Sequence, residues 1–236
     1  MKQLILSLTT AFLLMSCAEK GADTNTHIAG TIKGFTSGTV YLQKQNDSIL
    51  VTIDSVQMSK DSKFKFDFNL DSPEVMYLEV NRGVTKSIDN SLPIFAEPGT
   101  ITVDAALDHF YASAKVSGSK NHELFEQFQK VNTKYNGELL DISKEKFDAI
   151  RFKRLQDVDS IERKFDSKLK RKYLYAINFA LTNKEYEVAP YVALTELSNA
   201  NIKYLDTISK TIAPKVAQSK YGKLLTEYLN DLKQVK

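Results

Sequence analysis

The chain of 236 residues has a single cysteine, Cys17, and no tryptophan. One cysteine excludes an internal disulfide framework, a Cys-x-x-Cys redox motif and a cysteine-rich metal site. Histidine is scarce too: His27, His109 and His122 are the full set, and no two stand at ligand spacing such as i, i+4. They read as surface residues near element ends, and no metal is expected. There is no Gly-x-Ser-x-Gly elbow, no phosphate-cradling glycine loop and no His-Glu-x-x-His. Asp157 and Asp159 are two apart in a helical pattern and diverge, while Asp47 and Asp54 look like turn and edge residues. No motif brings acid, base and nucleophile together, so the expectation is a protein that is not an enzyme and uses no cofactor.

Long apolar runs are also missing. The longest, Leu4 to Met15, has about a dozen residues against the roughly 20 of a spanning helix. It follows the cation Lys2 and leads into Leu14-Met15-Ser16-Cys17, a small residue before a cysteine. That is the pattern of a bacterial lipoprotein signal over residues 1–16, with Cys17 lipidated and first in the mature chain. Residues 17–26 are mostly small and polar and read as a flexible tether. Ala18 carries no inner-membrane retention signal of the aspartate type. The expected address is therefore the cell envelope, lipid-anchored at the outer membrane and facing the periplasm.

The chain as a whole is of ordinary globular composition, 42% hydrophobic and 26% charged, with 11 Tyr and 13 Phe as aromatic bulk. The net charge of +3 conceals two unlike halves. Residues 17–119 hold 9 basic and 13 acidic residues, a net of −4, and residues 120–236 hold 22 and 16, a net of +6. Opposite signs favour mutual attraction, or affinity of the distal half for anions.

The hydrophobic period changes at the same place. Over residues 27–119 it is two, broken by turn residues: Ile28, Gly30 and Ile32, then Val40-Tyr41-Leu42, Ile49, Val51 and Ile53, Phe64, Phe66 and Phe68, Val75 and Tyr77, Ile101 and Val103. This predicts an antiparallel β-sandwich of seven to nine short strands. Glu97-Pro98-Gly99-Thr100 has type II turn chemistry, with Gly99 at positive φ. From residue 120 to 236 the period is helical and predicts a bundle of four or five helices. Asn121 is the expected cap of the first, Gly137 its end, and Ser143 the cap of one long helix running to about Leu181. Shorter helices are expected around 188–200, with Pro190 in the first turn, 202–213 and 219–233. The fold class is α+β.

One charge cluster stands out. Between Arg151 and Lys172 lie nine basic residues, among them Arg163, Lys164, Lys168, Arg171 and Lys172, interleaved with Asp157, Asp159, Glu162 and Asp166. Those five are the candidate binding residues, a docking face for anionic lipid, glycan or an acidic protein. The competing reading is a solvated helix laced with i, i+4 ion pairs. The exported address argues against nucleic acid.

The β half contains Ile28-Ala29-Gly30-Thr31-Ile32-Lys33-Gly34, Gly38-Thr39-Val40-Tyr41-Leu42, Ile53-Asp54-Ser55, Lys63-Phe64-Lys65-Phe66, Phe95-Ala96-Glu97-Pro98-Gly99 and Val116-Ser117-Gly118-Ser119. In this order and spacing they resemble an uncharacterised N-terminal β domain of bacterial envelope thiol:disulfide interchange lipoproteins. Ser62 stands where that family has glycine. Ser219-Lys220-Tyr221-Gly222-Lys223-Leu224-Leu225 looks like the family's last helix before a thioredoxin-like domain. The chain stops at Lys236, where that domain and its Trp-Cys-x-x-Cys would start, so the resemblance implies the location and accessory architecture but not the redox activity. The expected function is a non-catalytic, membrane-anchored binding or scaffold module with an envelope protein as partner, accessory to a separate thioredoxin-like oxidoreductase. The alternative is a periplasmic lipoprotein holding a peptide, glycan or lipid between sandwich and bundle.

Overall fold

The computed structural model describes residues 24–83 and 87–234. The expected signal peptide, Cys17 and most of the tether lie outside these residues. Asn25 and Thr26, expected as the tether's end, belong to the fold: Thr26 opens the first strand, and Asn25 Nδ2 donates to the Leu70 carbonyl at 2.9 Å.

Eight strands come first: β1 (Thr26–Lys33), β2 (Thr39–Asn46), β3 (Ile49–Gln57), β4 (Lys63–Phe68), β5 (Glu74–Asn81), β6 (Ser91–Ala96), β7 (Gly99–Ala106) and β8 (Lys115–Ser117). They form two four-stranded sheets, ordered β4-β1-β7-β8 and β3-β2-β5-β6. A helical turn, α1 (Phe110–Ser113), precedes β8. Then come α2 (Lys120–Arg151), α3 (Leu155–Thr182), α4 (Val188–Glu196), α5 (Ile202–Thr211), α6 (Pro214–Ala217) and α7 (Lys220–Gln234). No helix of the described residues is long and apolar enough to cross a membrane.

The expected all-antiparallel pairing fails at one place. β1 and β7 run parallel, Thr26 opposite Gly99 through Lys33 opposite Ala106. Such a pair joins strands far apart in the chain, and alternation marks faces without marking partners. At Gly30 the two backbones come so close that an added Cβ would sit 1.8 Å from the Val103 carbonyl oxygen. Gly99 takes the expected positive φ, 131°.

Period-two alternation divides the side chains between two cores. Ile28, Phe64, Phe66, Ile101 and Val103 from one sheet share a core with Val40, Leu42, Met76, Leu78 and Ile94 from the other. The opposite faces of β5 and β6 give Val75 and Phe95 to the helices, where they join Phe125, Phe128, Ile177, Val192 and Leu225. These two strands are covered on both faces, which explains the unbroken Pro93-Ile94-Phe95-Ala96 run. At the other edge, Ile49, Val51 and Ile53 are exposed. Their strand pairs with β2 over Thr39–Asn46, while β2 pairs with β5 only as far as Lys44, so the Ile49 end of β3 extends past β5; Ile53 falls at the register shift between Leu42 and Gln43.

The helices depart from expectation at their ends. α2 passes through Gly137 and Ser143, and the expected long helix breaks at Phe152-Lys153-Arg154. Glycine weakens a helix but does not stop one that is packed along a neighbour. Lys153 adopts φ 58°, the left-handed conformation that reverses the chain. The Ser143 hydroxyl donates back to the Leu139 carbonyl at 2.9 Å instead of capping. Ser119, not Asn121, caps α2, accepting from the His122 N–H at 3.0 Å. α4, α5 and α7 lie close to their expected spans, with Pro190 in the first turn of α4.

Ser62 adopts φ 57° with its residue buried. A left-handed serine costs about 1–2 kcal/mol, partly offset by the greater unfolded entropy of glycine. Ser62→Gly should therefore stabilise the protein by about 0.5–1 kcal/mol. The measurement is the urea midpoint, and a lowered midpoint would refute the strain assignment.

Candidate functional site

Two places carry polar chemistry: the α2–α3 hairpin, which holds the basic cluster, and the junction between sheets and helices.

α2 and α3 run antiparallel as the two arms of a hairpin. Near the body they are joined by Phe128, stacked on Tyr175 at 5.4 Å and tilted against Phe179 at 5.0 Å. Farther out, rungs of charge replace the rings. Lys168 Nζ lies 2.7 Å from Glu138, Lys164 Nζ 2.7 Å from Glu145, and Lys146 Nζ 2.5 Å from Glu162. Beneath these rungs lies a small core of Ile142, Ala149 and Ile161, with Val158 and Phe165 against them, and Leu139 is buried beside the first rung. The lysine partner holds the Glu138 carboxyl below the usual carboxylate range.

This arrangement sorts the five candidate binding residues. Lys164 and Lys168 are rungs of the hairpin. Lys172 Nζ lies 2.9 Å from Glu196 on α4, whose Oε1 also accepts from Asn132 Nδ2 at 2.8 Å. Arg171 adds to the field on Glu138. Arg163 is exposed and has no acidic partner among the described residues, a property shared by Lys170. The ion pairs of this stretch thus run mainly between helices, not along one.

The junction is built around Phe95. Its ring meets Phe125, Tyr191 and Tyr221 edge-on at centroid distances of 6.1, 5.6 and 5.8 Å. Edge-to-face pairs contribute about 1 kcal/mol each beyond their buried area. Its backbone faces away from β5, and α2 supplies the missing partners. The Phe95 N–H donates to His122 Nδ1 at 3.1 Å, and the Ser119 hydroxyl donates to the Phe95 carbonyl at 2.7 Å. The Val75 N–H donates to the Tyr221 hydroxyl at 3.0 Å. Burial pushes the Tyr191 and Tyr221 phenols well above their ordinary range.

Beside the rings lies a polar knot. Buried Asn121 donates from Nδ2 to Glu97 at 2.8 Å and to buried Glu187 at 2.9 Å, and its Oδ1 accepts from the Val188 N–H at 2.9 Å. An open cleft of about 530 Å³ borders this knot, lined by acids and by Lys120 and Lys215. A second cleft of about 380 Å³, on the His122 side, is lined by Leu92, Tyr111, Phe125 and Glu126.

His122 is the histidine that the sequence placed wrongly: it is buried, because its ring replaces a neighbouring strand. Its Nε2 lies 3.3 Å from Glu126, too oblique for a hydrogen bond. His27 pairs with Asp67 at 2.6 Å and His109 is exposed. Among the described residues no three His, Cys, Asp or Glu side chains form a group able to hold a metal.

Residues 26–125 match the family described as Domain of unknown function (DUF4369). The matched stretch ends in the second turn of α2 and so includes Ser119 and His122 with the strands they complete. No curated protein matches the chain.

Burial holds His122 below the ordinary histidine range, and Glu126 opposes this in part. The unfolded chain binds this proton more readily than the folded one. The stability this gives is fully present above the unfolded pKa of about 6.5 and lost as pH falls toward the folded value. The lysine-paired carboxylates Asp67, Glu138 and Asp206 are held low and titrate in a more acid range. Urea midpoints should therefore fall between about pH 7 and pH 5. His122→Asn keeps an acceptor near Nδ1 and should flatten that slope; equal slopes would remove His122 as its source.

Proposed function

We propose that this chain is a non-catalytic lipoprotein of the cell envelope, lipid-anchored through Cys17 at the outer membrane and facing the periplasm, where it serves as a binding or scaffold module. The two sheets are read as the faces of a β-sandwich, since side chains from both fill one core. The observation that carries the reading is the filled junction: Phe95, Phe125, Tyr191 and Tyr221 pack on one another and fuse the β half to the helices. A body fused in this way holds the α2–α3 hairpin in a fixed direction, as a scaffold requires. The resemblance to the β domain of thiol:disulfide interchange lipoproteins suggests the partner, a separate thioredoxin-like oxidoreductase.

The alternative, a peptide, glycan or lipid held between sandwich and bundle, calls for an aromatic-lined pocket at the junction. Phe95, Tyr191 and Tyr221 are packed on one another there; of the two open clefts beside them, one is lined mainly by charged and polar residues, and the other meets only Phe125 of the four packed rings. This favours the scaffold.

Two measurements test the proposal. Mass spectrometry of the mature N-terminal peptide should find Cys17 acylated, and Cys17→Ser should abolish the acyl mass; an unmodified Cys17 sinks the anchor. Affinity capture of the intact lipoprotein from solubilised envelope should recover a thioredoxin-like oxidoreductase. Arg163→Gln with Lys170→Gln, which breaks no observed ion pair, should reduce that recovery. Equal recovery by both forms would take this face of α3 out of partner binding.

A further inference from the structure

The free end of the hairpin has a composition that neither the fold nor the scaffold reading uses. Phe147 is 65% exposed, Ile150 51%, Phe152 63% and Leu155 65%. Large apolar side chains exposed singly are ordinary, but four within nine residues form a patch. The chain reverses at Lys153, and all four side chains remain largely exposed on either side of that turn. The same turn is cationic. Arg151, Lys153 and Arg154 are exposed, and no acid stands between Asp148 and Asp157. The Arg151 guanidinium lies over the Phe152 ring at 5.4 Å, and Arg154 reaches Asp157 at 3.2 Å, leaving Lys153 without an acidic partner among the described residues.

Aromatic and aliphatic knobs ringed by cations are the chemistry of an interfacial membrane contact. The apolar groups enter the acyl boundary, while arginine and lysine keep their charged heads among the phosphates. With three exposed cations and no acid between Asp148 and Asp157, this end complements a surface that is uniformly anionic, as phospholipid headgroups are. We propose that the α2–α3 tip docks on an anionic phospholipid surface, with Phe147, Ile150, Phe152 and Leu155 inserted and Arg151, Lys153 and Arg154 meeting the headgroups. This contact is distinct from the Cys17 anchor and from the face of α3 around Arg163.

The test reads the tip directly. In a full chain carrying Cys17→Ser, an environment-sensitive fluorophore is attached through Phe152→Cys, and in a control chain through Leu224→Cys on α7. Each is mixed with vesicles whose acyl chains are brominated, made of phosphatidylcholine alone or with added phosphatidylglycerol. The hydrophobic N-terminal stretch can hold either chain to either vesicle, so quenching at the probe, not attachment, is the readout. Strong quenching is expected at position 152 in anionic vesicles and little at position 224. Arg151→Gln, Lys153→Gln and Arg154→Gln together should lower the tip's partition by roughly tenfold or more, as should high salt. Equal quenching at the two positions overturns the proposal and leaves the tip to a protein partner. Quenching at 152 that ignores vesicle charge and the neutralised variant also overturns it. Neither result depends on whether native Cys17 is acylated, so failure here and failure of the anchor are separable.

Discussion

β6 is the last strand of its sheet, and at Phe95 its outward N–H and C=O have no neighbouring strand to meet. Ser119 and His122, from the cap and first turn of α2, provide the donor and the acceptor instead. An exposed strand edge is a hazard that proteins cover, pair or charge. Here the cover is a helix terminus, and its position dictates much else. It brings Phe125 against Phe95, lets Tyr191 and Tyr221 close around them, and buries Asn121 between Glu97 and Glu187. The family match running past the strands into α2 agrees with this: the β half is completed by the helix that comes after it.

The opposite net charges of the two halves contribute less than their sum suggests. Among the described residues a single ion pair crosses between them, Lys220 with Glu74. Most other paired cations of the helical half find their acids inside it, along the α2–α3 hairpin and around Glu196. The exposed pairs among these are worth about 0–1 kcal/mol each; Lys172 with Glu196 is largely buried. The buried rings and backbone hydrogen bonds of the junction therefore outweigh long-range attraction in joining the halves.

The sequence was legible where one face of an element meets one environment. The switch of period near residue 120, the strands of β1, β4 and β7, the positive φ at Gly99 and the helices after Val188 are all set by local pattern. It was illegible where tertiary contact overrides local preference. Gly137 and Ser143 look like helix boundaries but lie inside α2, because packing along α3 outweighs their propensity. The true break falls at Phe152-Lys153-Arg154, which has no glycine or proline to mark it. The β1–β7 pairing leaves only Gly30 as a trace, and a glycine in a strand has several possible meanings. His122 was misplaced because capping a strand edge depends on where the helix lands, which no local spacing encodes. The basic cluster was visible as composition, yet only the fold divides it into rungs, free cations and tip.

α2 is one unbroken helix of 32 residues, about 48 Å long at 1.5 Å per residue. One end is fastened to the sheet edge at Phe95 and the other turns back at Lys153. Its outer half is braced mainly by charge rungs over a thin core, and its inner end is locked by rings. The molecule thus contains a lever with its fulcrum in the β half: a force applied at the far turn arrives as torque on two hydrogen bonds at a strand edge, and whatever grips that turn also sets the orientation of the sheets.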